Sequence, residues 1–126
     1  MKIYGIGTDI VSVGRIKKLL KNKNSTERLF SKEEVQKCDK LINIYNCYAK
    51  RFAAKEAFSK ALGTGISNVI NFNEIIVKNE KNGKPFIKLK GETMKIIKKK
   101  FKKKIRIALS VSDEKKYAVA FVTISL

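Results

Sequence analysis

The sequence predicts an α+β fold, helices packed on a mainly antiparallel sheet, in a single domain spanning residues 1–126. Three observations point there. A chain of 126 residues with 44% hydrophobic residues is large enough to bury one core and too short for two of ordinary size. Segments of strand character stand at both ends of the chain, with helical spacing between them. Asn82-Gly83 marks a hairpin, the usual connection between antiparallel neighbours. No internal repeat, linker or Pro/Gly/Ser-rich segment divides the chain, and no βαβ unit follows the Gly5-Ile6-Gly7 pair, which excludes a dinucleotide-binding fold.

Each element has its own signal. Ile3 to Val11 is an apolar run broken only by Gly5, Gly7, Thr8 and Asp9, the pattern of a mostly buried strand. Ser12 caps a helix to about Asn22, with Val13, Ile16, Leu19 and Leu20 on one face and Arg15, Lys17, Lys18 and Lys21 on the other. A polar joint at Lys23 to Ser25 leads to a short helical stretch ending near Leu29 and Phe30. Ser31 and Glu34 then make a capping box that opens the next helix. The longest helix runs from about Tyr45 to Leu62 and stops at Gly63. Phe72 to Val77 reads as a strand, turned through Asn82-Gly83-Lys84-Pro85 into a second strand, Phe86 to Leu89. Glu92 to Lys104 is amphipathic, with Met94, Ile97, Phe101 and Ile105 on one stripe and seven lysines around it. Two closing strands, about Ile105 to Ser112 and Tyr117 to Ile124, flank the turn at Asp113-Glu114-Lys115-Lys116, and all the strands are expected in one sheet.

Composition narrows the chemistry. The chain has no histidine, which removes Ser-His-Asp and Cys-His nucleophiles and every His-ligated metal site. Cys38 and Cys47 form neither a CxxC pair nor a metal set, and read as free thiols in a reducing compartment. No apolar run approaches the roughly 18 residues of a membrane span, and the amino terminus lacks the pattern of a signal peptide. The net charge of +18 is built from 25 lysines and only four arginines, beside nine asparagines and sixteen isoleucines, a bias typical of A+T-rich coding. Much of the lysine excess is then surface drift, although it still steers acidic partners. Arg15, Arg28, Arg51 and Arg106 stand out against that background.

Carboxylate, lysine, hydroxyl and backbone chemistry remain. Asp9 lies inside the apolar first strand beside two glycines that leave room for close approach; it is either a site carboxylate or a cap for the helix starting near Ser12. Glu56 lies on the most apolar helix, with Phe52, Glu56 and Lys60 on one face at spacings of four. A surface Glu-Lys pair accounts for that spacing. So does a metal-phosphate site, in which two carboxylates on separate elements hold one Mg²⁺ while lysines meet substrate phosphates.

The strings Tyr4-Gly5-Ile6-Gly7-Thr8-Asp9-Ile10-Val11 and Arg51-Phe52-Ala53-Ala54-Lys55-Glu56-Ala57-Phe58-Ser59-Lys60-Ala61-Leu62-Gly63-Thr64-Gly65-Ile66 closely resemble the two signature motifs of the holo-[acyl-carrier-protein] synthase family, the short bacterial-type branch of the 4′-phosphopantetheinyl transferases. The resemblance continues through Gly83-Lys84-Pro85, Ser110-Val111-Ser112-Asp113 and Tyr117-Ala118, and so covers almost the whole chain. It implies transfer of 4′-phosphopantetheine from coenzyme A to a serine of an apo-acyl carrier protein, with release of adenosine 3′,5′-bisphosphate, in support of fatty acid biosynthesis. It implies that Asp9 and Glu56 hold Mg²⁺, that Glu56 and Lys60 are catalytic, and that Lys55, Ser59, Lys60, Thr64, Gly65, Lys84 and Asp113 meet coenzyme A. Lys60, Glu56 acting through water, and a metal-polarised water are all contenders for the proton acceptor. Many relatives carry histidine where this chain has Asp113, and others carry aspartate.

The resemblance further implies a homotrimer with coenzyme A at subunit interfaces, the closing-strand residues coming from the neighbour. An acidic carrier protein is expected to meet Arg15, Arg28 and Phe52. The expected location is the cytoplasm, or a plastid once a targeting segment is removed. A rival class is a small basic nucleic-acid-binding protein using the Lys95 to Lys104 helix, but no aromatic platform or base-reading motif accompanies those lysines, and a solvated helix face explains them. Neither nucleic acid nor a membrane is therefore expected as a partner.

Overall fold

The computed structural model describes residues 1–126. Strand β1 (Ile3–Ser12) pairs antiparallel with β5 (Tyr117–Ser125), and β5 pairs on its other side with β4 (Arg106–Asp113). The register sets Gly7 opposite Val122 and Asp9 opposite Ala120. Beyond the strands, Lys2 and Leu126 exchange backbone hydrogen bonds, so the two ends of the chain lie side by side. β2 (Ile75–Asn79) and β3 (Pro85–Leu89) form a separate antiparallel hairpin. The single sheet expected from sequence is thus two, because no ladder joins the hairpin to the closing strands.

Five helices surround these strands: α1 (Val13–Leu19), α2 (Lys23–Leu29), α3 (Lys32–Asp39), α4 (Ile44–Leu62) and α5 (Gly91–Lys100). The core lies between α4 and the inner face of the three-stranded sheet. Ala118, Ala120, Val122 and Ile124 alternate inward from β5 and meet Ala53, Ala57, Phe58 and Ala61 of α4, all buried. Small residues on both surfaces let the helix lie close to the sheet.

The first strand is not mostly buried, as its run of apolar residues suggested. Gly5, Gly7, Asp9 and Val11 face inward, while Ile6 and Ile10 point out, Ile10 66% exposed. Tyr117, Val119 and Phe121 of β5 join them on an apolar outer face. The strand looked buried because both its surfaces are uncharged apart from Asp9.

The caps follow the sequence closely. Ser12 Oγ accepts from the Arg15 amide at 3.2 Å, and Ser31 and Glu34 exchange both bonds of the capping box, at 3.2 and 3.0 Å. Several boundaries differ: α1 ends at Leu19 rather than about Asn22, β2 runs on to Asn79, and two further shifts have a visible cause. Residues Phe72–Glu74 form a 3₁₀ turn rather than the start of a strand. This turn aims the Glu74 carboxylate at the amino end of α5, where it accepts from the amides of Glu92 and Thr93, each at 3.1 Å, and from Thr93 Oγ1 at 2.8 Å. Helix α5 stops at Lys100, short of Lys104, because Phe101 leaves helical geometry and packs its ring edge-on against Tyr4, centroids 4.7 Å apart.

A buried ion pair ties four elements together. Lys55, 0% exposed, donates its three protons to Glu34 Oε1 at 2.6 Å, the Phe72 carbonyl at 2.7 Å and the Ile75 carbonyl at 2.6 Å. Glu34 Oε2 accepts from the Val77 amide at 3.0 Å. Burial pulls the Lys55 pKa down to about 8, against the opposing pull of Glu34. Lys55 therefore has no proton left for a ligand. The expectation that it meets coenzyme A is corrected to a structural role.

The cysteines also depart from expectation. The connection between α3 and α4 folds Cys38 against Cys47, their Cα atoms 5.5 Å apart, and the pair is joined as a disulfide. Neither is a free thiol, so the cysteines no longer argue for a reducing compartment.

Candidate active site

The approach of β1 to α4 builds the site, and glycine is what permits it. A Cβ on Gly7 would run into the carbonyl oxygen of Ala57, and one on Gly5 into that of Ala61. Both obstacles are helix backbone, which cannot swing aside. With β1 seated on the helix, Asp9, two residues beyond Gly7 and inward-facing like it, arrives beside the face that carries Glu56 and Lys60.

Asp9, its side chain 15% exposed, accepts from Lys60 Nζ at 3.1 Å, and the same ammonium donates to the Thr8 carbonyl at 3.0 Å. Glu56 is half-buried one turn earlier on α4. Its carboxyl is pushed up, first by burial and then by the negative charge of Asp9, with Lys60 and Arg15 opposing. The two carboxylates thus feel one another's charge, while Lys60 pairs with Asp9 and acts on Glu56 only through its field. No third Asp, Glu, His or Cys joins them as a metal-ligating group. This oxygen donor pair fits Mg²⁺, which characteristically takes one or two carboxylates and fills its remaining positions with water and phosphate oxygens.

Other expected residues fall around this pair or away from it. Ser59 is buried on the same helix, and Thr64 and Gly65 are exposed in the turn beyond Gly63, whose φ of 89° ends α4. The Arg15 guanidinium stacks over Phe52, 5.8 Å from its centroid, and Phe52 meets Phe72 edge-on at 6.2 Å. Arg28 lines a cleft with Phe72, which completes a row of two aromatic rings flanked by two arginines. Lys84 is exposed in the hairpin turn. Asp113 sits at the end of β4, two strands from β1, where Oδ2 accepts from Asn46 Nδ2 at 2.9 Å and Oδ1 lies 3.7 Å from Lys50 Nζ. A single chain does not bring Lys84 or Asp113 to Asp9.

A second centre went unread in the sequence. A cavity of about 420 Å³ between α3, the start of α4 and the hairpin is lined by four cations, Lys37, Lys50, Arg51 and Lys81, and one carboxylate, Glu80. Arg51, only 5% exposed, reaches Cys47 Sγ at 3.1 Å and Asn79 Oδ1 at 3.3 Å, while its Nε has no partner. Lys37 shares the Asn79 oxygen at 3.1 Å. Four cations against one carboxylate, with an unsatisfied guanidinium nitrogen, give the cavity a net positive lining suited to an anion. The signal was Arg51 itself, one of four arginines in a lysine-rich chain. A larger open groove, about 1010 Å³, runs between α2, α3 and the hairpin, but it has mixed charges and none of the site carboxylates.

Residues 5–122 match the 4′-phosphopantetheinyl transferase superfamily. The chain belongs to that superfamily. Within it, the chain is 52% identical over 123 residues to a holo-[acyl-carrier-protein] synthase of Pelagibacter ubique, covering 97% of this chain and 96% of the relative. The fold matches a holo-[acyl-carrier-protein] synthase from Neisseria meningitidis with a TM-score of 0.84 at 37% identity, over 98% and 99% of the two chains. It also matches one from Bacillus anthracis in complex with coenzyme A (3′,5′-ADP), at a TM-score of 0.78 and 36% identity, over 98% and 97%. The expected α+β architecture is shared with these holo-[acyl-carrier-protein] synthases, and the chain is an enzyme of the phosphopantetheinyl transferase class.

Proposed function

We propose that the protein transfers 4′-phosphopantetheine from coenzyme A to a serine of an apo-acyl carrier protein. The observation that carries this reading is the pair Asp9 and Glu56, which the close approach of β1 to α4 at Gly5 and Gly7 brings within range of one another's charge, with Lys60 paired to Asp9. Such a pair suits a diphosphate substrate that brings its own negative charge and needs a cation between itself and the protein. Asp9 and Glu56 would hold Mg²⁺, which would supply positive charge to offset the diphosphate and polarise its phosphoryl group. The carrier serine oxygen attacks the phosphorus that bears the pantetheine arm. The bond to the bridging oxygen breaks, and adenosine 3′,5′-bisphosphate leaves.

The chain's own residues do the rest. Lys60, with its ammonium fixed on Asp9 and the Thr8 carbonyl, is a preorganised cation for the charge that develops on the phosphoryl oxygens. Glu56, whose carboxyl burial has made more basic, takes the serine proton through a water molecule. Ser59, Thr64 and Gly65 line the path of the pantetheine arm beyond α4. Arg15, Phe52 and Arg28 offer an acidic carrier two guanidinium groups around an aromatic surface.

The cationic cavity takes the 3′-phosphate of coenzyme A, with the exposed Lys84 near the nucleotide. In one chain this cavity and the carboxylate pair are separate, so one coenzyme A spans two copies. The apolar outer face of Ile6, Ile10, Val119 and Phe121 supports self-association, and the reading is a homotrimer. No helix is long and apolar enough to cross a membrane. The reaction belongs to the cytoplasm or a plastid, where carrier protein and coenzyme A meet, and serves fatty acid synthesis.

The test is the intact mass of an apo-acyl carrier protein after incubation with this protein and coenzyme A, with Mg²⁺ or with EDTA. A phosphopantetheine adduct that needs the metal and is lost in Asp9→Ala and Glu56→Ala supports the reading. A folded protein that gives no adduct with any of several apo-carriers refutes it.

A further inference from the structure

Where the superfamily resemblance put a nucleotide contact at Asp113, the structure puts a carboxylate beside a cavity of net positive lining, and that position demands an explanation. Asp113 does not line the cationic cavity; Lys50 does. The carboxylate stands behind Lys50, with Oδ1 3.7 Å from its ammonium. Its other oxygen is pinned by Asn46 Nδ2 at 2.9 Å, and the same amide donates to the Glu114 carbonyl at 2.9 Å. Both protons of the Asn46 amide are thus spent on the β4–β5 turn, which fixes the carboxylate against α4 and leaves one oxygen for Lys50. The two side chains are only 30% and 25% exposed, so the pair is partly shielded from water. Successive residues of a helix diverge by about 100°, so Lys50 and Arg51 reach the cavity from different sides.

We propose that Asp113 is a positioning residue that holds the Lys50 ammonium at the cavity, so that Lys50 meets the 3′-phosphate of coenzyme A. The inference rests on the reading of that cavity given under the proposed function. A free lysine carries four rotatable side-chain bonds and spreads its charge over many positions. The pinned carboxylate narrows that spread before substrate arrives, which lowers the ordering cost of binding. This role has a sign. A carboxylate that merely sat near an anion would weaken binding, and its removal would tighten it.

The experiment compares coenzyme A with 3′-dephospho-coenzyme A, by calorimetric binding to the full chain and by KM and kcat with an apo-acyl carrier protein. The native protein binds coenzyme A at least about tenfold more tightly than the dephospho form. Asp113→Ala raises Kd and KM for coenzyme A about fivefold, leaves kcat within about twofold, and shrinks the preference for the 3′-phosphate. Asp113→Glu restores most of it. Lys50→Gln shows the same loss of preference, and the double variant Lys50→Gln with Asp113→Ala loses no more than Lys50→Gln alone. If Asp113→Ala fails to fold, Asp113→Asn, which keeps its shape, takes its place in the same comparison.

An Asp113 variant that binds coenzyme A as tightly as the native protein, or more tightly, overturns the positioning role while the native preference for coenzyme A leaves the cavity reading standing. Equal native affinity for the two compounds overturns both.

Discussion

Replacing Lys55 by methionine tests whether this lysine belongs to the fold or to the ligand. The substitution keeps most of the side-chain volume and deletes three hydrogen bonds, to Glu34 and to the carbonyls of Phe72 and Ile75. Removing one partner of a buried ion pair costs about 3–5 kcal/mol, because the other charge stays behind uncompensated. Two buried carbonyls without donors add about 1 kcal/mol each. The sum, about 5–7 kcal/mol, equals much or all of the roughly 5–15 kcal/mol that holds a typical domain together. Urea unfolding followed by circular dichroism is the assay. With a slope of about 1–3 kcal/mol per molar, the midpoint falls by at least about 2 M or the native state is lost.

The double variant Lys55→Met with Glu34→Leu recovers much of that stability, since no lone charge remains. The alkaline limb adds a second readout. Lys55 titrates at about 8 in the fold against 10.5 unfolded, so between those values the unfolded chain binds a proton the folded chain has released. Its contribution therefore makes stability rise with pH across that window, and the rise disappears in Lys55→Met. A Lys55→Met protein within about 1 kcal/mol of the native stability, but with a weakened KM for coenzyme A, would refute this reasoning and return Lys55 to the ligand.

Three further outcomes are expected. Glu56 has its carboxyl pushed above 4.5 in the fold, so its ionised form costs stability at neutral pH, and the cost vanishes below 4.5. Glu56→Gln should accordingly raise the melting temperature at pH 7 but not at pH 4, while transfer is lost; equal shifts at both values would contradict the assigned cause. Gly7→Ala drives a methyl into the Ala57 carbonyl and lifts β1 from α4, costing about 2 kcal/mol or more and lowering transfer about 100-fold, measured by melting and by mass analysis of the carrier. Replacing both Cys38 and Cys47 by serine removes a closed loop with a sequence separation of 9, worth about 2–3 kcal/mol. Unreduced native protein should weigh two hydrogens less than after reduction, and equal masses would exclude the bridge.

Most of the carboxylate site was legible because its determinants are local strings. Asp9 was conspicuous as a charge within an apolar strand, and Glu56 and Lys60 share a helix face at a spacing of four. Lys55 was misread although a signal existed. Tyr48, Arg51, Lys55, Phe58 and Leu62 follow one another at three or four residues, and all are buried. A lysine on the stripe that holds Phe58 and Leu62 is a core position by periodicity, but the partner that tolerates it, Glu34, is 21 residues away and looked fully employed as a cap. The outer face of β1 was hidden for the opposite reason, since an apolar surface left exposed is indistinguishable in sequence from one packed in the interior. The cationic cavity could not be seen among 25 lysines, because it depends on the packing of α3 and the hairpin rather than on charge density. The disulfide likewise depends on how the α3–α4 connection folds back, which no spacing rule specifies.

The pairing of the first strand with the last has a consequence for synthesis of the protein. Thr8 Oγ1 donates to the Ala120 carbonyl across a separation of 112 residues, and β5 lies between β1 and β4. While the ribosome is still making residues 117–125, the segment that carries Asp9 has no neighbouring strand and its Ile6 and Ile10 are open to any apolar surface. Helices rich in local contacts form early, whereas a ladder between distant segments must wait for loop closure. The Asp9–Glu56 pair therefore comes together only after translation has passed β5, and a stalled nascent chain should carry helices without that pair. The same adjacency of Lys2 and Leu126 makes the two ends a natural place to join the chain, with new ends opened in the exposed turn at Asn82-Gly83. In such a permutant β5 would be made before β1, and the site would assemble in the reverse order.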